Sequence, residues 1–180
     1  PGDRVAAPVD TSLLVDDTLA TQDSTVTRTK VGDVYVAERA ADDDVVFGGE
    51  PSGAWIWPAE TLCPDGPLAA CKLVELVATE GPLSNLVADI ETYPIRRQNI
   101  EVSAKADCMA AIEELVTERY DASAIETLDG VRIETEAGWI LIRASGTQPL
   151  IRLTAEAHTA ARAETLLTEA EEIVTAAQNS

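Results

Sequence analysis

The feature that most constrains the fold is the alternation of strand-like and helix-like segments over residues 1–82. Short apolar or β-branched runs at 5–9, 24–27 and 45–47 are typical of buried strands. Segments of helical character separate these runs, and Asp10-Thr11-Ser12 can cap the first of them. Strands that alternate with helices favour an α/β layer whose loops bind ligands at the strand ends. Residues 1–82 are therefore predicted to form an α/β layered domain, a mixed sheet with helices.

The second half of the chain has a different character. A polar passage over 83–98 follows Gly81-Pro82, and it is predicted to link two domains. Residues 99–180 are predicted to form a smaller α+β domain with an antiparallel sheet, because strand-like runs follow one another with short turns between them. The closing helix over 159–177 carries a single apolar stripe, formed by Ala163, Leu166, Leu167, Ala170, Ile173 and Val174.

A nearly all-apolar helix is predicted over 68–79, after the start signal Asp65-Gly66-Pro67. A helix that is apolar all round is typically buried, and burial is predicted here. The cysteines are Cys63, Cys71 and Cys108, which are odd in number and lack C-x-x-C spacing. This pattern favours buried reduced thiols over a zinc site or a disulfide framework.

The chain is strongly acidic. It has 32 acidic and 13 basic residues and a net charge of -19, and its lysines are Lys30, Lys72 and Lys105. Acids spread along a lysine-poor chain predict a salt-adapted surface and a halophilic archaeal source, with an ordinary acidic protein as the alternative. The lack of a basic stripe argues against nucleic-acid binding. Without a run of about 20 apolar residues or a signal-peptide pattern, no membrane partner and a cytoplasmic parent are predicted.

A glycine-bearing loop at 143–149 follows a strand-like run. The guanidinium of Arg143 offers paired donors that fit the oxygens of a phosphate group. Ser145 and Thr147 add hydroxyl groups, and a tight turn at Gly146 exposes backbone amides. This combination predicts a phosphate-binding loop.

A second glycine-rich loop, at 47–55, also follows an apolar run. It displays the carboxylate of Glu50 and the hydroxyl of Ser52 among glycines that include Gly49. An acceptor beside a group that both donates and accepts can hold vicinal hydroxyls of a sugar. The tryptophans that flank the loop have strand spacing, which favours core packing over stacking on a sugar.

These loops resemble those of the α-D-phosphohexomutase family. The family's sugar loop reads G-E-x-S-G and its phosphate loop reads R-x-S-G-T-E-P, and both strings occur here with Gln148 in place of the glutamate. The turn Thr29-Lys30-Val31-Gly32 resembles the family turn that presents a substrate-contacting lysine. The motifs occur in the family's order. The chain thus resembles the third domain, short of its start, and the fourth domain of a four-domain enzyme.

The resemblance implies an intramolecular phosphotransferase, an isomerase of carbohydrate metabolism such as phosphoglucomutase or phosphomannomutase. Such enzymes move a phosphoryl group between C1 and C6 of a hexose phosphate through a phosphoserine, with Mg²⁺ bound by another domain. It implies no metal in this chain, and as partners a hexose phosphate and the missing N-terminal domains. The implied sugar-binding residues are Lys30, Gly49, Glu50 and Ser52, and the implied phosphate-binding residues are Arg143, Ser145, Gly146, Thr147 and Arg152.

The family's catalytic serine loop and its metal loop do not occur in this sequence. The chain is therefore expected to be the C-terminal fragment of a longer enzyme and to be inactive alone. Two alternatives remain open, a phosphoglucosamine mutase of the same family and a free-standing phosphosugar-binding module without catalysis. Many members carry a histidine where this chain has Ala54, so Lys30 is a candidate to assist proton transfer, with neutralisation of phosphate as its alternative role.

Overall fold

The computed structural model describes residues 3–88 and 90–179. The chain divides into two units, Pro1–Thr92 and Tyr93–Ser180, and each unit has its own sheet. Within the described residues, no helix combines the length and the apolar character that crossing a membrane requires.

The first unit is a mixed sheet with helices. Its strands are β1 (Arg4–Pro8), β2 (Thr25–Thr29), β3 (Val45–Gly49) and β4 (Trp55–Ile56), and its helices are α1 (Leu13–Ala20), α2 (Asp33–Ala40), α3 (Gly66–Glu80) and α4 (Leu83–Leu86). The strand order is β2-β1-β3-β4. The first three strands run parallel, and β4 pairs antiparallel with β3. The predicted fold class of this half is confirmed.

β1 lies inside this sheet, and both of its faces are covered. Ala6 and Ala7 are successive residues that point to opposite faces, and both are buried. On one face, Ala6 packs in a cluster with Val36 and Ala40 of α2 and with Ile56 of β4. A parallel strand that is buried on both faces has a nearly continuous apolar sequence, which is why β1 could be predicted.

The predicted burial of α3 is wrong. The helix itself forms where it was predicted, and the carboxylate of Asp65 caps its first turn. None of its residues is buried, however, and Val74 is 70% exposed. Cys63 and Cys71 lie just before and within this helix, and both thiols are exposed rather than buried, whereas Cys108 is buried. An apolar sequence predicts that a helix packs against other protein surface. It does not predict that this surface lies among the described residues.

The second unit is an antiparallel sheet packed against two helices. Its strands are β5 (Ile95–Glu101), β6 (Ile125–Glu126), β7 (Val131–Thr135), β8 (Gly138–Ala144) and β9 (Leu150–Ala157), and its helices are α5 (Lys105–Arg119) and α6 (Ala160–Gln178). The strand order is β5-β9-β8-β7-β6, and every pair is antiparallel. The predicted α+β class of this half is also confirmed.

β5 begins at Ile95 rather than at Asn99, so its first residues lie in the passage that was predicted to be a linker. It is an edge strand that pairs only with β9 among the described strands. None of its residues is buried, and Arg97, Gln98 and Asn99 are exposed. A strand without a buried face lacks the apolar alternation by which strands are predicted, and this explains the difference.

The core of the second unit lies between the sheet and its two helices. α6 buries the whole predicted apolar stripe, so that prediction is confirmed. α5 contributes Cys108, Ile112 and Val116 to the same core. At the end of α5, the hydroxyl of Tyr120 donates to Oε1 of Glu169 in α6 at 2.7 Å. Burial, together with this hydrogen bond, raises the pKa of Tyr120 to about 12.

Buried polar groups join the three neighbouring strands β7, β8 and β9. Trp139 is fully buried, and its indole N–H donates at 2.7 Å to Oε2 of Glu156, which is also fully buried. The guanidinium of Arg132 lies 4.2 Å from the ring centroid of Trp139, and its Nε donates to Glu134 at 2.8 Å. Contacts of this kind are strengthened by the low dielectric of the interior. Through Trp139, these contacts therefore connect β8 with both of its neighbouring strands.

We expect the unfolding temperature of each unit to rise steadily as KCl is raised from near zero to multimolar concentration. The chain carries a net charge of -19. At about 1 M salt the Debye length falls to ~3 Å, so the mutual repulsion of these charges is screened. Calorimetric melting across a KCl series measures the effect, and a sucrose series controls for effects of an uncharged solute. Melting temperatures that do not change with KCl would contradict a salt-adapted surface.

Candidate functional site

The parallel strands of the first unit end at one edge of the sheet. Lys30 follows β2, Glu50 follows β3, and Asp10 lies just after β1. Because β1 lies between β2 and β3, Asp10 comes between the other two residues in strand order. Open α/β sheets bind ligands at the carboxyl ends of such strands. This edge is therefore the candidate site of the first unit.

The loop after β3 folds into a closed turn. The N–H of Glu50 donates to the carbonyl of Ala54 at 3.1 Å, and the N–H of Gly53 donates to the carbonyl of Glu50 at 3.0 Å. Gly53 has a φ of +90°, a left-handed conformation that favours glycine. The hydroxyl of Ser52 donates to Oε2 of Glu50 at 3.3 Å. The two polar groups that the sequence assigns to a sugar thus lie side by side.

The turn after β2 is hydrogen-bonded to this loop. The N–H of Gly32, the residue before α2, donates to Oε1 of Glu50 at 2.8 Å. A carboxylate is favoured there by the positive end of the helix dipole. In the same turn, Nζ of Lys30 lies 5.7 Å from the ring centroid of Tyr35. The structure therefore brings the Lys30 turn together with the loop that contains Gly49, Glu50 and Ser52.

Asp10 and Thr11 at this edge are candidates that the sequence did not reveal. Thr11 is buried, and among the described residues neither its Oγ1 nor the buried Oδ1 of Asp10 has a hydrogen-bond partner. Buried polar groups normally have a partner in the protein or in water. These two atoms are thus available to a bound group. In the sequence, the same residues suggest only a helix cap.

The loop between β8 and β9 is the candidate site of the second unit. The N–H of Ser145 donates to the carbonyl of Leu150, and the N–H of Leu150 donates to the carbonyl of Gln148, both at 2.9 Å. The hydroxyl oxygen of Ser145 accepts from the N–H of Gln148 at 3.3 Å. Ser145 is only 3% exposed, whereas residues 146–149 are exposed. Ser145 therefore connects the two sides of the loop through hydrogen bonds on the buried side of the loop.

The exposed tip of this loop carries donors without acceptors. Among the described residues, the N–H groups of Gly146 and Thr147 and the hydroxyl of Thr147 donate to no protein acceptor. Consecutive backbone amides that are free in a tight turn form a concavity that binds anions. The tip can therefore bind an anion without any rearrangement of its hydrogen bonds.

Two arginines face each other across the β8–β9 hairpin, beside the loop. Arg143 and Arg152 are direct cross-strand partners. Such side chains share one face of the sheet, with Cβ atoms about 4.5–5.5 Å apart, and like charges at this spacing are destabilising. An anion between the two guanidinium groups would offset this repulsion. The structure thus brings together at one end of the hairpin all the predicted phosphate-binding residues, Arg143, Ser145, Gly146, Thr147 and Arg152.

Asp129 is a member of this site that the sequence did not reveal. Nη1 of Arg143 donates to Oδ2 of Asp129 at 3.2 Å. The next residue, Gly130, has a φ of +84°, and a Cβ there would lie 2.4 Å from the carbonyl oxygen of Ile142. Only glycine lets this turn approach β8 so closely, and the approach places the carboxylate beside Arg143. The Asp-Gly pair is a turn signal, but it does not indicate which strand the turn meets.

Among residues 3–88 and 90–179, no cluster of three or more histidine, cysteine, aspartate or glutamate side chains could hold a metal ion. Acidic side chains next to β3 pair with arginine instead. Asp44 lies 3.2 Å from Arg4, and Asp42 pairs with Arg39.

Family models match both units. The model described as phosphoglucomutase/phosphomannomutase, alpha/beta/alpha domain III, matches residues 1–93. The model described as phosphoglucomutase/phosphomannomutase, C-terminal domain, matches residues 98–173.

Curated archaeal proteins are similar over almost the whole chain. The protein named "Probable phosphoglucosamine mutase" of Methanopyrus kandleri is 46% identical over 177 residues, which are 97% of this chain and 38% of that protein. The protein of the same name from Methanocella arvoryzae is 47% identical over 174 residues, 96% of this chain and 39% of that protein. The chain thus spans about two fifths of the length of these relatives.

Solved structures share the fold. A phosphoglucomutase/phosphomannomutase family protein from Burkholderia thailandensis matches 99% of this chain and 38% of its own, with a TM-score of 0.82 and 20% identity. An Aspergillus fumigatus N-acetylphosphoglucosamine mutase in complex with GlcNAc-6P and magnesium matches 97% of this chain and 39% of its own, with a TM-score of 0.67 and 16% identity. At these identities the likeness concerns the fold alone.

Proposed function

Because this chain belongs to the phosphoglucomutase/phosphomannomutase family, as its third and C-terminal domains, we propose that its parent is an intramolecular phosphotransferase. The parent moves a phosphoryl group between C1 and C6 of a hexose phosphate through a phosphoserine. This chain supplies contacts to the sugar and to a phosphate group. Other parts of the parent supply the serine and hold Mg²⁺, in keeping with the magnesium in the Aspergillus fumigatus neighbour. The chain alone is inactive, and the parent works in the cytoplasm.

The proposed substrate is a glucosamine phosphate. The relatives that are 46% and 47% identical to this chain are both named as phosphoglucosamine mutases. The loop motifs alone do not separate glucose, mannose and glucosamine phosphates, because Glu50 and Ser52 address the hydroxyl pattern of a sugar and not the group on C2. The relatives therefore favour the amino sugar.

The observation that carries the proposal is the donor set at the end of the β8–β9 hairpin. Free amides at Gly146 and Thr147 lie in the loop that Arg143 and Arg152 flank. A phosphate group has enough acceptor oxygens for all of these donors, and a guanidinium can bind two of them at once. Arg143 has five N–H donors, so the bond from its Nη1 to Asp129 orients the fork and leaves donors for the ligand.

The residues have separate roles in this proposal. The 143–147 loop binds the phosphate on the carbon that is not reacting, so the sugar can bind again in the reversed orientation for the second half-reaction. Glu50 accepts from one sugar hydroxyl, and Ser52, whose own proton goes to Glu50, accepts from another. The hydrogen bond between Ser52 and Glu50 holds both groups in position. Lys30 supplies a cation from the turn that is hydrogen-bonded to this loop through Gly32, to neutralise phosphate or to assist proton transfer.

The parent is expected to convert glucosamine 6-phosphate to glucosamine 1-phosphate with a higher kcat/KM than it shows for glucose or mannose phosphates. Phosphorus NMR in concentrated KCl with Mg²⁺ measures the three conversions side by side. A preference for glucose or mannose phosphate would overturn the substrate and leave the reaction class intact. Binding of hexose phosphates without any turnover would overturn the reaction class and favour a binding module.

A further inference from the structure

The neighbours of Lys105 in the sequence do not explain a cation at this position. Lys105 is the first residue of α5, where the positive end of the helix dipole disfavours a cation. The residue before it, Ala104, offers no side-chain cap that could compensate. In a chain with 13 basic and 32 acidic residues, a cation at this position suggests a partner elsewhere in the fold.

That partner is the backbone of the loop between β8 and β9. Nζ of Lys105 donates to the carbonyl of Ser145 and, at 2.7 Å, to the carbonyl of Gln148. The two carbonyls lie on either side of the exposed tip at Gly146 and Thr147. Hydrogen bonds from a charged donor are roughly twice as strong as those between neutral groups. The ammonium group thus holds both sides of the tip with one side chain.

This contact also fixes the direction of an amide. In a trans peptide the C=O and the N–H groups point to opposite sides. Because the carbonyl of Ser145 points toward Lys105, the N–H of Gly146 in the same peptide points away from it. Gly146 is exposed, and among the described residues its N–H has no protein acceptor. Lys105 therefore orients a free donor from the opposite side of the loop.

We infer that Lys105 is a positioning residue of the phosphate loop, which holds the carbonyls of Ser145 and Gln148 so that the amide of Gly146 is presented to an anion. The inference rests on the proposed binding of phosphate by this loop. Lys105 acts through the backbone and does not itself contact the anion.

The test is a titration of the ¹⁵N-labelled chain with inorganic phosphate, with the affinity taken from amide chemical shifts at fixed KCl. Lys105→Met is expected to weaken binding about tenfold, which corresponds to ~1.4 kcal/mol. It is also expected to speed hydrogen exchange, before phosphate is added, at Leu150, whose N–H donates to the carbonyl of Gln148 that Lys105 contacts. Lys105→Arg should restore part of both, since arginine keeps several donors. The matched control is Lys72→Met, which removes the same charge from a lysine 3.5 Å from Glu60 in the first unit.

Salt separates positioning from simple charge attraction. At 2 M KCl the Debye length is below about 3 Å, so attraction between an ammonium group and phosphate is screened, whereas a positioning effect persists. A Lys105→Met defect that disappears at 2 M KCl, or an affinity equal to that of Lys72→Met, would overturn the inference. If the unaltered chain does not bind phosphate, the proposed function fails, and hydrogen exchange at Leu150 still decides whether Lys105 holds the loop. Lys105→Gln replaces Lys105→Met if the latter does not fold.

Discussion

Arg143→Lys is expected to weaken the binding of a hexose 6-phosphate by more than tenfold, equivalent to more than about 1.4 kcal/mol. Arg143 lies beside the free amides of the loop and opposite Arg152. A guanidinium binds two phosphate oxygens with one rigid fork, whereas an ammonium group binds as a point charge. Lysine also cannot donate to Asp129 and to a phosphate with the same fixed geometry. Isothermal titration in concentrated KCl measures the loss.

The matched control is Arg96→Lys. Arg96 belongs to the same unit, and its Nε donates to Glu164 at 2.9 Å on the surface. The change conserves charge in both variants, so a difference between them reports the geometry at Arg143 and not the net charge of the chain. Equal affinities in Arg143→Lys and Arg96→Lys would show that Arg143 is not the phosphate anchor.

Trp139→Ala is expected to lower the free energy of unfolding of the second unit by about 3–5 kcal/mol, the range for removing a large buried aromatic side chain. Trp139 has no exposed surface, and its N–H donates to buried Glu156. The change opens a cavity, and it removes a hydrogen bond from the carboxylate of Glu156 and the ring that lies against Arg132. Urea unfolding at fixed KCl, followed by far-ultraviolet circular dichroism, measures the free energy.

Trp139→Phe separates the two causes. It keeps most of the ring volume and removes the N–H donor, so it is expected to cost about 1–3 kcal/mol through the hydrogen bond that the buried Glu156 carboxylate loses. Trp55→Ala controls for loss of an aromatic ring, because Trp55 is only half-buried in the first unit, in edge contact with Trp57. A Trp139→Ala cost no larger than that of Trp55→Ala would rule out the network as a main source of stability.

The elements that could be predicted from the sequence are those whose buried residues recur at a regular spacing along the chain. α6 packs one face on the sheet, so its stripe from Ala163 to Val174 repeats at helical spacing. The first and last residues of β5 could not be predicted, because no residue from Ile95 to Glu101 is buried. The exposure of α3 could not be predicted either. An apolar sequence favours burial of a helix, but it does not identify the protein surface against which the helix packs.

The residues of the candidate site also differ in whether they could be predicted from the sequence. Arg143, Ser145 and Thr147 could be proposed from the sequence because the phosphate-binding groups are contiguous in the chain. Asp129 and Lys105 could not, because they reach this loop from 14 and 40 positions away. The contact of Glu50 with Gly32 spans 18 positions and depends on parallel strands ending at one edge. Side chains that bind a ligand can leave a local pattern, whereas those that hold the ligand-binding groups in place depend on the fold.

The exposed apolar side chains of helix α3 bear on how separate molecules of the chain interact in solution. At low ionic strength, the net charge of -19 keeps molecules apart although side chains such as Val74 remain exposed. In concentrated KCl the repulsion within each molecule is screened, but so is the repulsion between molecules. Apolar surface on neighbouring molecules can then meet. We therefore expect that the salt that screens repulsion within each molecule also lowers the highest protein concentration at which a preparation stays monodisperse.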